Sequence, residues 1–574
     1  MCTPNAWKSY DSEQSKSRKR PCPSGSPSVT KFFKAEKADR GEMITHAISK
    51  YLIKSMRPIS EVENEGFVDM WKEVEPEYRL PTRKTMRIKV QEQCDNVQLK
   101  LREIVGQSEV CAAQCDIWTS RRMHGYFGLC LTLIRNGALE TRLVACRRFL
   151  GAHTADNIST MFSSLVQEFG VMNKMKGIVT DNASNMVKAF KADEGEGSDQ
   201  LSLIAIPSEG DDDLMRINID WSEVEDEFPT PIPTRYGCMA HMLQLVVKDG
   251  LNEATARIKT LLQKCASLVS TIHKSCKATE LLEEHNIAHI PTPNATRWNS
   301  TYSMLTGLVK AEDVEEGILK KVTEVTSSTV LLSPKDLDTL KELRLVLAHF
   351  SRATKLMETE SQPTSGLVIP TVVGLEKALV QVDTQHTTSV RTGLQCSLKS
   401  RFGHLMSDEH FLISAALDPR CKLKWVEKSD QERQIHAIIQ AKCEAVETTM
   451  PKLPASATSS DTDASQSAGS SDIACDLLGY MKTSTLTNQQ SSEFNDYLQS
   501  TSDISDCIGF WQTHRETYPK LYQLHIHHHV IPATSAAIER AFSLAGLICS
   551  ERRNRLDNSV FESLLLAKAN KDLL

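Results

Sequence analysis

Pro532-Ala-Thr-Ser-Ala-Ala-Ile-Glu-Arg-Ala-Phe-Ser-Leu-Ala-Gly546, followed by Ser550-Glu-Arg-Arg-Asn-Arg-Leu-Asp557, is the stretch from which the rest of the chain is best read. Pro532 stops a helix upstream, Thr534 or Ser535 can cap free amides, and Ile538, Ala541, Phe542, Ala545 and Ile548 recur at the spacing of one buried helical face. Glu539 stands beside that face. Alone, a carboxylate flanking an apolar stripe is most often a solvated surface charge. It gains weight from two aspartates far upstream.

The first is Asp116, near the end of Val110-Cys-Ala-Ala-Gln-Cys-Asp-Ile-Trp118, which reads as a buried strand. Tyr126 to Ile134 and Leu139 to Phe149 read as two more strands, with Asn136-Gly137 as the hairpin turn between them. Thr154 caps an amphipathic helix carrying Ile158, Met161, Phe162, Leu165, Val166 and Phe169 on one face, and Gly170 closes it. Gly177-Ile-Val-Thr180 is a short apolar strand that runs into the second aspartate, Asp181, and a further helix. The order strand, strand, strand, helix, strand, helix suits an RNase H-like sheet whose first and fourth strands are central neighbours. Asp116 and Asp181 then lie together at strand C-terminal ends, where open α/β sheets hold their sites. Two carboxylates so close repel one another unless a cation sits between them, which points to a divalent metal. Read singly, either aspartate is a turn or cap residue.

At 574 residues with 40% hydrophobic content, the chain can fill three or four domain cores. A net charge of −6 means that any nucleic-acid contact must come from local basic patches. The 16 cysteines lack the dense spacing of a secreted disulfide scaffold, and no apolar run reaches membrane-spanning length. The expectation is a soluble intracellular protein without a membrane partner.

Residues 1–42 read as a disordered basic tail, in which Lys16-Ser-Arg-Lys-Arg-Pro21 is either an import signal to the nucleus or a solvated run. Residues 43–105 read as a helical module with Ile44, Ala47, Ile48, Tyr51 and Leu52 on one face, and 106–237 as the first part of the sheet domain. Within the latter, 191–228 carries thirteen acidic and two basic residues, an exposed acidic insert. Residues 238–526 are dominated by helical periodicity, with a flexible linker at 451–471, and 527–574 complete the core. Cys238 and His241, three apart, are half of a zinc-ligand pattern, and His273 with Cys276 is a mirrored half; both spacings are common in ordinary helices, so zinc is not expected. Arg297-Trp298 sits amid Asn, Ser and Thr, which suits either a core Trp or a base-stacking surface. His525, His527, His528 and His529 read as an exposed loop.

Five motifs then stand in order: Cys115-Asp-Ile-Trp118, Thr180-Asp-Asn-Ala-Ser-Asn185, Cys238-Met-Ala-His241, Thr296-Arg-Trp-Asn-Ser300 and Ser535-Ala-Ala-Ile-Glu-Arg-Ala-Phe-Ser543. As a set the chain resembles the hAT superfamily of DNA transposases, closest to its branch of host proteins with BED zinc fingers. The resemblance implies an α/β plus α architecture: an RNase H-like catalytic fold interrupted by a large all-helical insertion, with a helical C-terminal dimerisation region. It implies a catalytic and metal-binding triad at Asp116, Asp181 and Glu539 for Mg2+ or Mn2+. It implies DNA contact at Arg297 and Trp298, a family Cys-x-x-His motif at Cys238 and His241, and interface or core roles for Phe542, Leu547, Val560 and Leu564. The finger itself is missing from this sequence, whose first hundred residues offer only Cys2, Cys22 and Cys94.

The function expected is that of a domesticated, transposase-like nuclear protein that forms a homodimer and associates with DNA or chromatin as a regulator. The alternatives are an active enzyme performing metal-dependent strand cleavage and transfer, and an interaction scaffold that touches no DNA.

Overall fold

Asn136 and Gly137 have φ of 52° and 74°, the left-handed pair that a two-residue hairpin turn needs to match strand twist. They join β2 (Gly125–Arg135) to β3 (Ala138–Phe149), with Arg135 paired to Ala138 across the turn. β1 (Val110–Thr119) runs antiparallel to β2 and parallel to β4 (Met175–Thr180), which pairs in parallel with β5 (Arg235–Gly237). The order is β3-β2-β1-β4-β5, a small mixed sheet in a mostly helical protein. The first and fourth strands are indeed neighbours. β5 has only three residues, too few to carry a period, and the sequence reading passed over it.

The structure is a computed structural model describing residues 29–191, 233–294, 298–446, 477–481, 492–500, 506–549 and 557–574, with side chains from residue 40 onward. The basic run at 16–21, the acidic insert apart from Lys191, the linker at 451–471 and Arg297 lie outside the described residues.

The chain divides into two compact units between Cys94 and Asp95. The first holds α1 (Val29–Lys54), α2 (Glu65–Val74) and the start of α3 (Arg83–Gln107). α1 begins at Val29, which corrects the expectation of a disordered tail through residue 42: Thr30 to Arg40 is free of Gly and Pro and rich in Lys, Ala and Glu, all compatible with a helix. The buried face of α1 is also rotated from the one expected, with Ile48, Ser49, Leu52 and Ile53 inside and Ala47 and Tyr51 outside. Asn64 caps α2 by accepting from the Phe67 amide, and Tyr51 stacks on Phe67 with centroids 6.1 Å apart.

The second unit layers helices on both faces of the sheet. Cys111, Ala113 and Cys115 point to one face with Phe127, Leu129, Leu131 and Leu133, where they meet the end of α3, α4 (Ala155–Phe169) and α5 (Ser184–Ala189). α4 is bounded as its sequence dictates: Thr154 accepts from the Asn157 amide, and Gly170 takes a left-handed φ of 63°. Val110, Ala112, Ile134 and Val179 point to the other face and join a helical core.

That core draws on α6 (Met239–Asn252), α7 (Ala256–His273), α8 (Cys276–Glu284), α9 (Trp298–Val314), α10 (Ile318–Val325) and α11 (Pro334–Met357). It continues through α12 (Val368–Gln381), α13 (Thr388–Phe402), α14 (Glu409–Leu417), α15 (Ser429–Ala445), α16 (Glu493–Gln499), α17 (Cys507–Thr513) and α18 (Pro519–His529). Ser333 and Asp336 form a reciprocal capping box that starts α11, with Pro334 in its first turn. The chain ends with α19 (Ala536–Ile548) and α20 (Asn558–Ala569), which return to the sheet.

The histidine run is not a loop. His525 and His529 lie on one face of α18 and are buried, and His528 is half-buried. Their partners come from α14 and α17, 118 and 22 positions away in sequence.

Candidate metal centre

The registers of β1 and β4 bring the two aspartates level. Gln114 pairs with Val179 in parallel, so two residues further along each strand Asp116 and Asp181 are neighbours. Asp116 Oδ1 accepts from the Ile117 amide at 2.7 Å, and Asp181 Oδ1 accepts from the Ala183 amide at 3.2 Å. Burial pushes the Asp116 carboxyl up to about 7, with the charges of Asp181 and then Glu539 adding to the rise and the Ile117 amide opposing it. The three acids therefore share one electrostatic neighbourhood, contributed by β1, the end of β4 and α19.

Glu539 arrives there because α19 can lie against the sheet. Across β2 the residue paired with Asp116 is Gly128. A Cβ at that position would stand 2.5 Å from Ile538 Cδ1 and 2.7 Å from Phe542 Cε1 and Cζ. The missing side chain is what lets α19 approach so closely. Phe542 stacks on Trp118 at 6.1 Å, and Phe561 from α20 stacks on the same indole at 6.4 Å. Thr534 Oγ1 accepts from the Ala536 amide at 3.3 Å, so Thr534 serves the first turn although Ser535 occupies the N-cap position.

Cys238 has a local structural role. It is the N-cap of α6, and its buried sulfur accepts from the Ser535 amide at 3.4 Å and from the His241 amide. Together with the Met239 amide donating to Ala533 O at 2.9 Å, it ties the start of α6 to the start of α19. Burial holds the Cys238 thiol above its ordinary range, and the Glu539 charge adds to this. His241 is half-buried one turn along α6. The four residues of the two half-patterns for zinc do not assemble: His273 Nε2 bonds to Ile290 O at 2.8 Å and its ring stacks on His289, while Cys276 is exposed.

The sequence reading missed Arg235. Its guanidinium donates to Thr180 Oγ1 at 2.8 Å, to Asn182 Oδ1 at 2.8 Å and to the Asp181 carbonyl. Burial lowers its pKa, and the Asp181 charge counters that, so it is a cation held at the edge of the acid group. Gly237 is required beside it, since a Cβ there would be 2.6 Å from Asn182 Oδ1. An arginine opening a three-residue strand directly before the Cys-x-x-His motif was the only available signal.

Carboxylate oxygens suit Mg2+ or Mn2+, which prefer hard ligands. The three acids do not close into the tightest kind of cluster, however. Among the described residues the Cys, His, Asp and Glu group whose ligand atoms all lie within 4.8 Å of one another is Cys507, His525 and His529.

Trp298, for which the sequence leaves both a core and a base-stacking surface open, is only 8% exposed at the first position of α9, with Tyr302 6.1 Å away. Of the four residues expected at an interface or core, Phe542 belongs to the chain's own core, Val560 and Leu564 are half-buried, and Leu547 is 62% exposed. No helix among the described residues is long and apolar enough to cross a membrane.

Residues 480–570 match the hAT family C-terminal dimerisation region, and residues 236–345 match the ZBED1 RNase-like helical domain. The chain is 22% identical over 562 residues to an AC transposase of Zea mays, covering 89% of this chain and 63% of that one. It is 23% identical over 528 residues to the transcriptional regulator tpeD of Talaromyces stipitatus, covering 85% and 56%. It is 20% identical over 563 residues to zinc finger BED domain-containing protein 4 of Homo sapiens, covering 92% and 44%. The chain thus spans less than two thirds of the length of each of these relatives. The two family matches, at the helical domain and at the C-terminal segment that carries Glu539, agree with the long relatives that this chain is a transposase-like protein derived from the hAT family.

Proposed function

We propose that the chain acts as a nuclear homodimer associated with DNA or chromatin as a regulator, on an RNase H-like core that keeps a divalent-metal site at Asp116, Asp181 and Glu539. The observation that carries the reading is the convergence of three carboxylates from three separate elements on one end of the sheet, where burial first, and then the charges of Asp181 and Glu539, push the Asp116 carboxyl up to about 7. In this reading residues 106–237 and 527–574 form the core, 238–526 the helical insertion and 43–105 a separate helical module. Arg297 and Trp298 serve DNA contact, and Leu547, Val560 and Leu564 the dimer surface. The transcriptional regulator among the relatives supports the regulatory side.

The same convergence favours a second reading, metal-dependent DNA strand cleavage and transfer, because three acids on one end of a sheet are a hard-oxygen donor set of the kind such chemistry uses. Bound Mg2+ or Mn2+ would activate the attacking water or 3′-hydroxyl and stabilise the leaving oxygen. The chain's own residues have definite parts in this. Asp116 on β1 and Asp181 directly after β4 present their oxygens side by side, Gly128 admits the helix that brings Glu539, and Arg235 and Cys238 fix the segments on either side.

A mixed-sequence DNA library incubated with the full chain and Mn2+ tests both readings, with retention on a gel and new strand ends read from the same sample. Retention without cleavage supports the regulator. Cleavage that Asp181→Asn abolishes, with retention unchanged, supports the enzyme. Absence of both overturns the proposal.

A further inference from the structure

A second constellation lies away from the carboxylates, at the junction of α14, α17 and α18. Cys507 opens α17, and His525 and His529 stand one turn apart on the inward face of α18. All three are buried, and their ligating atoms lie within 4.8 Å of one another. His525 Nδ1 is 2.6 Å from His529 Nδ1, and Cys507 Sγ is 3.9 Å from the same nitrogen. His529 Nε2 donates to Ser414 O at 2.8 Å, which leaves its Nδ1 as a lone pair facing the other two groups. This is the outer hydrogen bond that metal-ligating histidines characteristically make.

We infer that Cys507, His525 and His529 bind a zinc ion through Sγ, Nδ1 and Nδ1. The imidazoles are neutral, as ligands must be, since burial lowers both, His525 well below the ordinary histidine range. Zn–N of about 2.0–2.1 Å and Zn–S of about 2.3 Å in tetrahedral geometry require N···N of about 3.3 Å and N···S of about 3.6 Å. The observed 2.6 Å between the nitrogens is about 0.7 Å too short and the 3.9 Å to the sulfur about 0.3 Å too long, so small side-chain rotations that open the ring pair and draw the sulfur in reach the required geometry. At present one proton is shared between the two Nδ1 atoms. Zinc takes its place: the proton of His525 moves to Nε2, the thiol proton of Cys507 leaves to solvent, and a water fills the fourth position.

Two features favour a cation there. The buried Asp418 carboxylate acts on both Cys507 and His529, and on each it outweighs the opposing charge of Arg420, its ion-pair partner at 2.5 Å. The Trp511 indole stacks on His525 with centroids 5.2 Å apart and ring planes 19° apart, which fixes that ring. Three buried polar side chains in a helical core cost free energy that apolar residues would not, and a metal bond offsets it.

The test uses the full chain, stripped with a chelator and titrated with Co2+ as the probe. One equivalent should give the visible absorption of tetrahedral cobalt and a near-ultraviolet sulfur-to-cobalt charge-transfer band; cobalt held by carboxylates gives no such band. Cys507→Ser should remove the charge-transfer band, and zinc should displace the cobalt stoichiometrically. Zinc should also raise the melting temperature of the wild type and leave that of His529→Gln unchanged, a readout that holds if the serine variant does not fold. A wild type without the charge-transfer band, a band that survives in Cys507→Ser, or equal zinc shifts in the wild type and His529→Gln overturns the site.

Discussion

Gly128→Ala tests whether the acid group depends on the close seating of α19. The added methyl would stand 2.5 Å from Ile538 Cδ1 and 2.7 Å from two atoms of the Phe542 ring, where carbon atoms rest at about 3.5–4.0 Å. Ile538 can swing its terminal carbon away, but Phe542 is held by the Trp118 stack, so α19 must retreat by about 1 Å to restore contact distance. Overpacking of this kind costs about 1–3 kcal/mol. Urea unfolding followed by tryptophan fluorescence reads that loss, and Trp118 lies at the site of the change. Phe542→Leu in the same chain removes the ring atoms that clash, so the double variant should recover part of the loss, with a favourable coupling energy. Glu539 moves with its helix, so Gly128→Ala should also weaken stabilisation by Mn2+. A variant within about 0.5 kcal/mol of the wild type, or a double variant whose losses simply add, would refute the seating argument.

Mg2+ or Mn2+ at millimolar concentration should raise the melting temperature of the wild type, because a ligand that binds only the folded state stabilises it; Asp181→Asn should lose that shift while remaining at least as stable without metal. The Asp116 carboxyl sits at about 7 in the folded chain, well above the usual carboxylate range of the unfolded one, so the folded state binds the extra proton. Metal-free protein should therefore lose stability as pH rises from about 4 to about 7, and Asp116→Asn should flatten that part of the urea-unfolding profile. Cys238→Ala leaves the Ser535 amide without its sulfur acceptor. It should cost about 1–3 kcal/mol in urea unfolding and reduce the Mn2+ shift, because the start of α19 is then less firmly held. Leu547, 62% exposed on α19, should be replaceable by Glu with little loss of monomer stability but weaker self-association by light scattering.

Where the sequence was legible, the signal was local. The alternation in β1 to β3, the Asn136-Gly137 turn, the Thr154 and Gly170 caps of α4 and the buried face of α19 each involve residues within a few positions of one another. What escaped depended on distant partners. The four histidines look like a polar loop until Ser414, Cys507 and Trp511 are brought against two of them. Gly128 has no local mark of its role, since its constraint is set by residues more than four hundred positions away. Trp298 was read between core and surface, and Tyr302 one turn on is what it packs near. β5 is too short for periodicity, yet it carries Arg235 to the carboxylates.

Self-association and the acid group share α19, and this decides how each can be perturbed. Ile538, Ala541, Phe542, Ala545 and Ile548 are all buried in the chain's own core, and Phe561 of α20 packs on Trp118 and Tyr126 beside them. Removing residues from 532 onward would therefore uncover one face of the sheet and take Glu539 with it. A monomer produced that way would say nothing about an interface, because loss of folding gives the same result. Leu547 is the separable handle: it lies on the same helix as Glu539, two turns further along, with its side chain turned to solvent. The helix rises about 1.5 Å per residue, so in the proposed dimer a partner seated on Leu547 lies about 12 Å along the axis from Glu539. In the proposed reading the dimer surface and the acid group are then coupled through one packed element, seated on Gly128.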